Sequence, residues 1–131
     1  MLINMKTFFA PHLTLKVLRP AINFYEKGLG AQTIRTFDND DGSVHVAEMT
    51  LLGQLFHLHE EVARDRHLSP ETVSSTTVLI GLFTADPDAM FNSAIAAGAK
   101  IVSPMQDYDY GYRQGTLADP FGHQWLIQKK L

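Results

Sequence analysis

The chain contains no cysteine among its 131 residues. Disulfides, thiolate nucleophiles and cysteine-ligated metals are therefore excluded, and the composition suits a reducing cytoplasm. Excess positive charge is missing too, since 11 Lys and Arg residues against 14 Asp and Glu give a net charge of −3. This balance offers no basic surface to nucleic acid or to an anionic membrane, so we expect neither as a partner.

Long apolar runs are also absent from the sequence. No segment approaches the roughly 20 apolar residues that a membrane helix needs. The opening "MLINMKTFFAPHL" lacks the long apolar region and cleavage site of a secretory signal. Hydrophobic residues still make up 45% of the chain, and a chain of this length buries roughly two thirds of its unfolded surface. We therefore expect a single cytoplasmic domain with a substantial core.

Two segments carry the spacing and end signals of helices. In "RPAINFYEKGLG", Ile22, Tyr25 and Leu29 share one face, and Gly30 can end the helix in a left-handed conformation. In "DPDAMFNSAIAAGA", Asp86 can cap the first turn before a proline. The predicted buried positions of this second helix are Met90, Phe91, Ala94 and Ile95.

Three segments, "HLTLKV", "VHVAEMTL" and "QLFHLHE", alternate as strands with one buried face. The expected core positions are apolar: Leu13, Leu15, Val17, Ala47, Met49, Leu51, Phe56 and Leu58. The opposite face is mixed and suits the wall of a partly wet cavity. Its candidate cavity residues are polar: His12, Thr14, Glu48, His57 and His59.

The two halves of the chain repeat one another. A shift of 68 positions places Gly30 on Gly98 and also places Leu13 on Gly81, while a shift of 69 places "GQLFHLH" over "GHQWLIQ". This predicts two modules of one strand, one helix and three further strands, at about 8–61 and 75–131. The charged segment between them, about 62–74, is expected to be a linker with at most one helical turn and a solvated His67.

Two such βαβββ modules, together with "INFYEKGLGA", "SAIAAGAKIV" and "YGYRQGTLADPFGHQW", resemble the vicinal oxygen chelate superfamily. This is the fold of glyoxalase I, bleomycin-resistance proteins and extradiol dioxygenases, and the PhnB-like branch is the most similar group. The resemblance implies an α+β domain whose curved mixed sheet encloses a cavity. It also implies a homodimer with sites built from strands of both modules.

Metal-using members of this superfamily take one ligand from each of four strands. By ungapped register the first position falls at Ala10, with His12 two residues on and on the same face. The others fall at His57, near Thr77 or Val78, and at Leu126. One position is thus filled, one is arguable and two are empty, which argues against the glyoxalase reaction.

Two interpretations of the histidines remain open. His12, His57 and His59 could gather one divalent metal, completed by Glu48 or Glu60. Alternatively, they are cavity histidines that hydrogen-bond to Glu48, Thr14 or a ligand. His45 is expected at the surface or an edge, and His123 as a structural hydrogen-bonding residue.

The segment "MQDYDYGYRQG" brings tyrosines and a cation together near the expected cavity mouth. Tyr110 could stack on a ligand and Arg113 could meet an anionic group. The alternative is a surface hairpin in which Arg113 pairs with a neighbouring aspartate.

Two functions follow from these observations. The favoured one is a protein that binds a small organic molecule without a complete glyoxalase metal site. The alternative is a metal-dependent lyase, isomerase or dioxygenase with a non-standard histidine site, for which a divalent metal would be the cofactor. RNA binding on a sheet face is disfavoured because the strands lack paired exposed aromatics.

Overall fold

The computed structural model describes residues 6–131 and contains two tandem βαβββ modules. The first module comprises β1 (His12–Leu15), α1 (Leu18–Leu29), β2 (Gln32–Asp38), β3 (Val44–Leu51) and β4 (Gln54–Glu60). The second comprises β5 (Leu79–Phe83), α3 (Pro87–Ala96), β6 (Lys100–Tyr108), β7 (Tyr112–Ala118) and β8 (Gln124–Lys130). A 3-10 turn (Ala63–Asp65) and a short helix, α2 (Pro70–Val73), lie between the modules.

Each module forms a four-stranded mixed sheet with the same topology. The strand orders are β1-β4-β3-β2 and β5-β8-β7-β6. In each sheet the first and last strands of the module pair in parallel at one edge, and the other pairs are antiparallel. The α+β class and the duplicated architecture predicted from the sequence are therefore confirmed.

The helices and the inner faces of both sheets share one core. Tyr25 of α1 packs against Phe56 and Trp125, with ring centroids 5.8 and 5.6 Å away. Phe56 and Trp125 are 3% and 2% exposed and occupy matching positions in the two modules. In α3, Phe91 and Ala94 are buried, while Met90 and Ile95 pack partly buried against the same core. The predicted helix faces are thus confirmed.

A buried carboxylate joins the modules through a cluster we call the module joint: Tyr25, Asp119 and Trp125. Asp119 Oδ2 accepts hydrogen bonds from Tyr25 Oη at 2.5 Å and from Trp125 Nε1 at 3.0 Å. Its Oδ1 accepts from the backbone N–H groups of Phe121 and His123. Burial, followed by the Asp119 charge and hydrogen bond, raises the pKa of Tyr25 well above its usual value. Both side-chain oxygens of the buried Asp119 therefore have hydrogen-bond partners.

Two glycines adopt left-handed conformations, as predicted for Gly30. Gly30 ends α1 with φ of +76°, and its N–H bonds to the carbonyl of Glu26. Gly122 has φ of +94° in the turn after Asp119, and a Cβ built there would lie 2.7 Å from Pro70 Cβ. A side chain at Gly122 would thus be strained and would also collide with α2.

Two details predicted from the sequence are wrong, one in the repeat and one at the end of a strand. Leu13 pairs with Leu58 in the first sheet, and Leu82 pairs with Ile127 in the second, so Leu13 corresponds to Leu82 rather than to Gly81. The strands β1 and β4 and the helix N-caps obey a shift of 69. The paired strands β2 and β3 obey a shift of 68, because the segment from the helix N-cap to the next strand is one residue shorter in the second module. Val17 is also 59% exposed, since the strand ends at Leu15 and Val17 precedes α1.

The linker is more ordered than the sequence suggested. Ser69 caps α2, and its N–H and hydroxyl both donate 2.8 Å hydrogen bonds to Glu61 Oε2. Thr72 donates a further hydrogen bond to the same oxygen. Over the described part of the chain, no helix is long and apolar enough to cross a membrane.

Candidate functional site on the first sheet

Strand register aligns four polar side chains across the outer face of the first sheet, the face turned away from the helices. His12 lies opposite His57, His57 opposite Glu48, and Glu48 opposite Arg35. His12, Glu48 and His57 alternate with buried positions, so the fold that buries Leu13, Met49 and Phe56 also directs these polar side chains outward. We call this set the histidine row: Arg35, Glu48, His57 and His12.

Neighbouring members of the histidine row interact with one another across the strands. Arg35 Nε donates to Glu48 Oε1 at 2.7 Å, and His57 Nε2 lies 3.7 Å from Glu48 Oε2, too far for a direct hydrogen bond. The rings of His57 and His12 are 4.5 Å apart between centroids. The sequence-based pairing of these two histidines on one face is confirmed by this register.

Two side chains of the histidine row, Glu48 and His12, have lowered pKa values. The Arg35 hydrogen bond lowers the pKa of Glu48 below its usual value, with a smaller contribution from His57. Partial desolvation lowers the pKa of His12, and the nearby His57 and His59 add to the effect. Near neutral pH the row therefore offers a charge-paired carboxylate beside a neutral His12 imidazole.

A cavity of about 420 Å³ adjoins the row and is lined by His12, Thr14, His59 and His67. His59 Nδ1 donates to the Glu60 carbonyl at 2.7 Å, which leaves Nε2 as the unprotonated nitrogen of the neutral ring. His67 is exposed, as expected, and it also lines this cavity. An isolated bridge between Val62 and His67 folds the linker back and brings the imidazole to the cavity.

His45 and Glu60 form a separate cluster at the edge of this face. Glu60 Oε1 accepts from Asn39 Nδ2 at 2.7 Å and pairs with His45 Nδ1 at 3.0 Å. The Asn39 hydrogen bond, with His45 second among the favourable contacts, lowers the pKa of Glu60. His45 is thus the half-exposed edge residue that the sequence predicted, and its partner Glu60 is already occupied.

The structure places Tyr110 and Arg113 in the second module, engaged with neighbours there. Arg113 donates two 2.7 Å hydrogen bonds to Asp88 of α3 and one of 3.0 Å to Asp107. Tyr110 stacks on Tyr108 at 5.1 Å and hydrogen-bonds to Gln114. These are the contacts of the surface-hairpin alternative, and ligand contact by either residue stays a prediction.

The donor set does not fit a resident metal within one chain. Over residues 6–131, no group of three or more His, Asp or Glu side chains is arranged to hold a metal ion. Ala10 precedes β1, so His12 is the residue opposite His57. In the second sheet Leu126 lies opposite Gly81, and neither side chain can ligate a cation. No chemical step is therefore assigned to a metal.

Chemically, the site combines imidazoles, one paired carboxylate and the ring of Phe37 at its border. Neutral imidazole both donates and accepts hydrogen bonds, so it suits hydroxyl, enol or amide groups. Phe37 lies at this border, since the Arg35 guanidinium carbon lies 4.6 Å from its ring centroid. The arrangement can orient a small, largely apolar molecule through a few polar contacts.

Sequence comparison identifies related chains over nearly the full length. The model of the Glyoxalase/Bleomycin resistance protein/Dioxygenase superfamily matches residues 11–127. An uncharacterised protein of Mycobacterium bovis is 34% identical over 130 residues, covering 97% of this chain and 86% of the relative. An uncharacterised protein of Mycobacterium tuberculosis strain H37Rv is also 34% identical, with coverage of 97% and 76%.

Solved structures show the same fold. TioX from Micromonospora sp. ML1 has a TM-score of 0.75 at 23% identity and covers 96% of this chain and 100% of its own. A gene product of Arabidopsis thaliana has a TM-score of 0.73 at 25% identity, with coverage of 97% and 100%. A family enzyme from Burkholderia phytofirmans PsJN has a TM-score of 0.72 at 17% identity, with coverage of 92% and 95%. With its paired modules and its match over residues 11–127, this chain belongs to the glyoxalase/bleomycin resistance protein/dioxygenase superfamily.

Proposed function

We propose that this protein binds a small organic molecule on the outer face of its first sheet. The observation that carries the proposal is the histidine row, which places Glu48, His57 and His12 side by side on a face that the core does not use. Side chains on the buried face stabilise the fold through packing. The side chains of the histidine row lie on the opposite face and contribute little to packing. Their alignment is therefore better explained by a ligand than by stability.

We also propose that a second copy of the chain closes the site in a homodimer. Exposed apolar side chains lie on the outer faces of both sheets: Phe37 is 44% exposed, Leu79 49% and Phe83 52%. Apolar side chains grouped on an exposed face are typical of a surface that a partner covers. Light scattering at micromolar concentration should give twice the chain mass, and a monomer would contradict this part of the proposal.

Two finer assignments complete the proposal. Gly111-x-Arg113 followed by Asp119–Trp125 supports the PhnB-like branch of the family. The absence of cysteine supports a cytoplasmic location.

The test of the proposed function combines metal analysis with a ligand screen. The protein is purified without chelator or metal-affinity tag, and small organic molecules are screened for those that raise its melting temperature. We expect far less than one equivalent of transition metal per chain, together with at least one compound whose stabilising effect is lost in His57→Ala. The control is Leu126→Ala, because Leu126 is the residue of the second sheet that matches His57 in position.

Two results would overturn the proposal. One equivalent of metal that disappears in His57→Ala would make the protein a metal-dependent enzyme, and dicarbonyl and catechol substrates would then be assayed. Compounds that stabilise the wild type and His57→Ala equally would remove the histidine row from the binding site.

A further inference from the structure

A second cavity, of about 440 Å³, lies where the two modules meet, and neither Glu48 nor His57 lines it. We call it the junction cavity. Its walls come from the start of β1, from α2 and the residues on either side of it, and from the approach to β5. The lining residues are Pro11, His12, Leu13, Thr14, Leu68, Pro70, Val73, Ser75, Thr76, Thr77, Val78, Ile80 and His123.

The roof of the junction cavity is fixed from both sides. Glu61, at the end of the first module, holds the N–H and hydroxyl of Ser69 and the hydroxyl of Thr72. On the other side Pro70 packs against the Gly122 backbone of the second module, where even a Cβ would not fit. The cavity is therefore formed before any ligand arrives, which removes part of the ordering cost of binding.

The polar groups of the cavity are few and oriented. His123 Nε2 lies 2.9 Å from the Thr14 carbonyl, so this nitrogen carries the proton and Nδ1 is an acceptor in the neutral ring. Among the described residues, the hydroxyls of Ser75, Thr76 and Thr77 have no side-chain hydrogen-bond partner. The cavity thus offers both acceptors and donors against an apolar floor.

The charge of the lining selects the class of ligand. None of the described residues that line the cavity carries a carboxylate, an ammonium or a guanidinium. A charged ligand would lose hydration here without gaining an ionic partner, whereas an uncharged hydroxyl or amide group could be satisfied by imidazole and hydroxyl groups.

From the preformed roof, the fixed His123 tautomer and the uncharged lining, we propose that the junction cavity is a second ligand site for an uncharged molecule with an apolar body and a hydroxyl or amide group. This site shares His12 with the histidine row and Thr14 with the cavity beside that row, but Val73 lines only the junction cavity and His57 belongs only to the row. Substitutions at Val73 and at His57 therefore test the two sites separately.

The test uses three probes that share a biphenyl body: uncharged 4-phenylphenol, anionic 4-phenylbenzoate and cationic 4-phenylbenzylamine. Calorimetric titration at pH 7 is expected to show saturable binding of one 4-phenylphenol per chain and weaker binding of both charged probes. Val73→Trp fills the cavity from its roof, and we expect at least about a tenfold loss of 4-phenylphenol affinity.

The matched control is Val102→Trp, because Val102 on β6 is 51% exposed and Val73 is 50% exposed, yet only Val73 lines the cavity. Val102→Trp should retain wild-type affinity for 4-phenylphenol. Thr77→Trp enters from the opposite wall and takes the place of Val73→Trp if that variant does not fold.

Three outcomes would overturn the proposal. They are no saturable binding of 4-phenylphenol to the wild type, unchanged affinity in the folded cavity-filling variant, and equal affinity for the charged probes. Loss of affinity in His57→Ala but not in Val73→Trp would move the probe to the histidine row and likewise overturn the junction site.

Discussion

The outer faces of the two sheets differ most along one row that crosses all four strands. In the first module this row consists of charged or titratable side chains: Arg35, Glu48, His57 and His12. In the second module the same register aligns uncharged residues: Ser103, Thr116, Leu126 and Gly81. The two modules therefore have the same four-strand backbone, but only the first module carries ionisable side chains along this row.

The inner faces of the same strands show no such divergence. Phe56 matches Trp125, and Leu58 matches Ile127, and all four side chains are at most 3% exposed. Burial constrains these positions to large apolar residues, because each one contributes packing and hydrophobic free energy. The outer positions are free of that constraint, so their chemistry can specialise without loss of the fold.

The largest expected effect comes from breaking the module joint, which connects the two modules whose faces are compared. Asp119→Ala removes the acceptor of the Tyr25 hydroxyl and the Trp125 indole N–H, and both donors remain buried. We expect a loss of about 3 kcal/mol or more in the free energy of unfolding. Urea denaturation measures it, with the exposed Asp40→Ala as control. A loss as small as that of Asp40→Ala would show that the joint is dispensable.

Next in size is the exchange of residues between the matching rows. His57→Leu gives the first module the residue of the second, and we expect about a tenfold or greater loss of affinity for any compound found by the screen. Stability should change by no more than about 1 kcal/mol, because the site lies outside the core. Adding Leu126→His should not restore binding, since Thr116 lies opposite that position where Glu48 lies opposite His57. Restored binding would contradict the assignment to the first sheet.

A smaller effect is expected from Glu48→Gln, which removes the partner of Arg35. Because the folded pKa of Glu48 is lowered, its carboxylate stabilises the protein at neutral pH, and this contribution disappears as the pH falls through that lowered pKa. The variant should therefore be slightly less stable than the wild type at pH 7, and the difference should be smaller at pH 3. Parallel denaturation curves at the two pH values check this, and a difference that is undiminished in acid would exclude the ion pair as its cause.

The smallest effect concerns the titration of His12. We expect its pKa to lie below the usual value of about 6.5 and to rise partly, not fully, in His57→Leu, because desolvation is the larger cause. The folded chain then binds fewer protons at His12 than the unfolded chain, so its contribution to stability decreases as the pH falls below about 6.5. NMR titration of the imidazole resonances measures both quantities. An unchanged pKa in His57→Leu would show that the two rings do not interact electrostatically.

The sequence allowed most of the fold to be predicted, because alternation and helix spacing are local properties. The buried faces of α1, β3 and β4 were predicted residue by residue, and so was the cap at Gly30. The errors lie at connections. The shift of 68 holds for β2 and β3 but not for β1 and β4, so it misplaced Leu13 against Gly81. Val17 was assigned to a strand that ends earlier.

The candidate site was predictable only in part. Alternation places His12, His57 and Glu48 on outer faces, but the sequence does not state which strands pair or in what register. The contribution of His67 had no local signal, since it depends on the bridge to Val62. The pairing of Arg113 with Asp88 joins residues 25 positions apart and was likewise hidden.

By itself, the sequence determined the duplicated α+β architecture, the core positions and the absence of any cysteine chemistry. These follow from composition and from periodicities of about 3.6 and 2 residues, which each segment carries without its neighbours. Tertiary structure alone decided that Arg35, Glu48, His57 and His12 form one row, that Asp119 joins the modules, and that α2 roofs a cavity. Those features depend on strand register and on contacts between distant segments, and both are set by the packing of the whole chain.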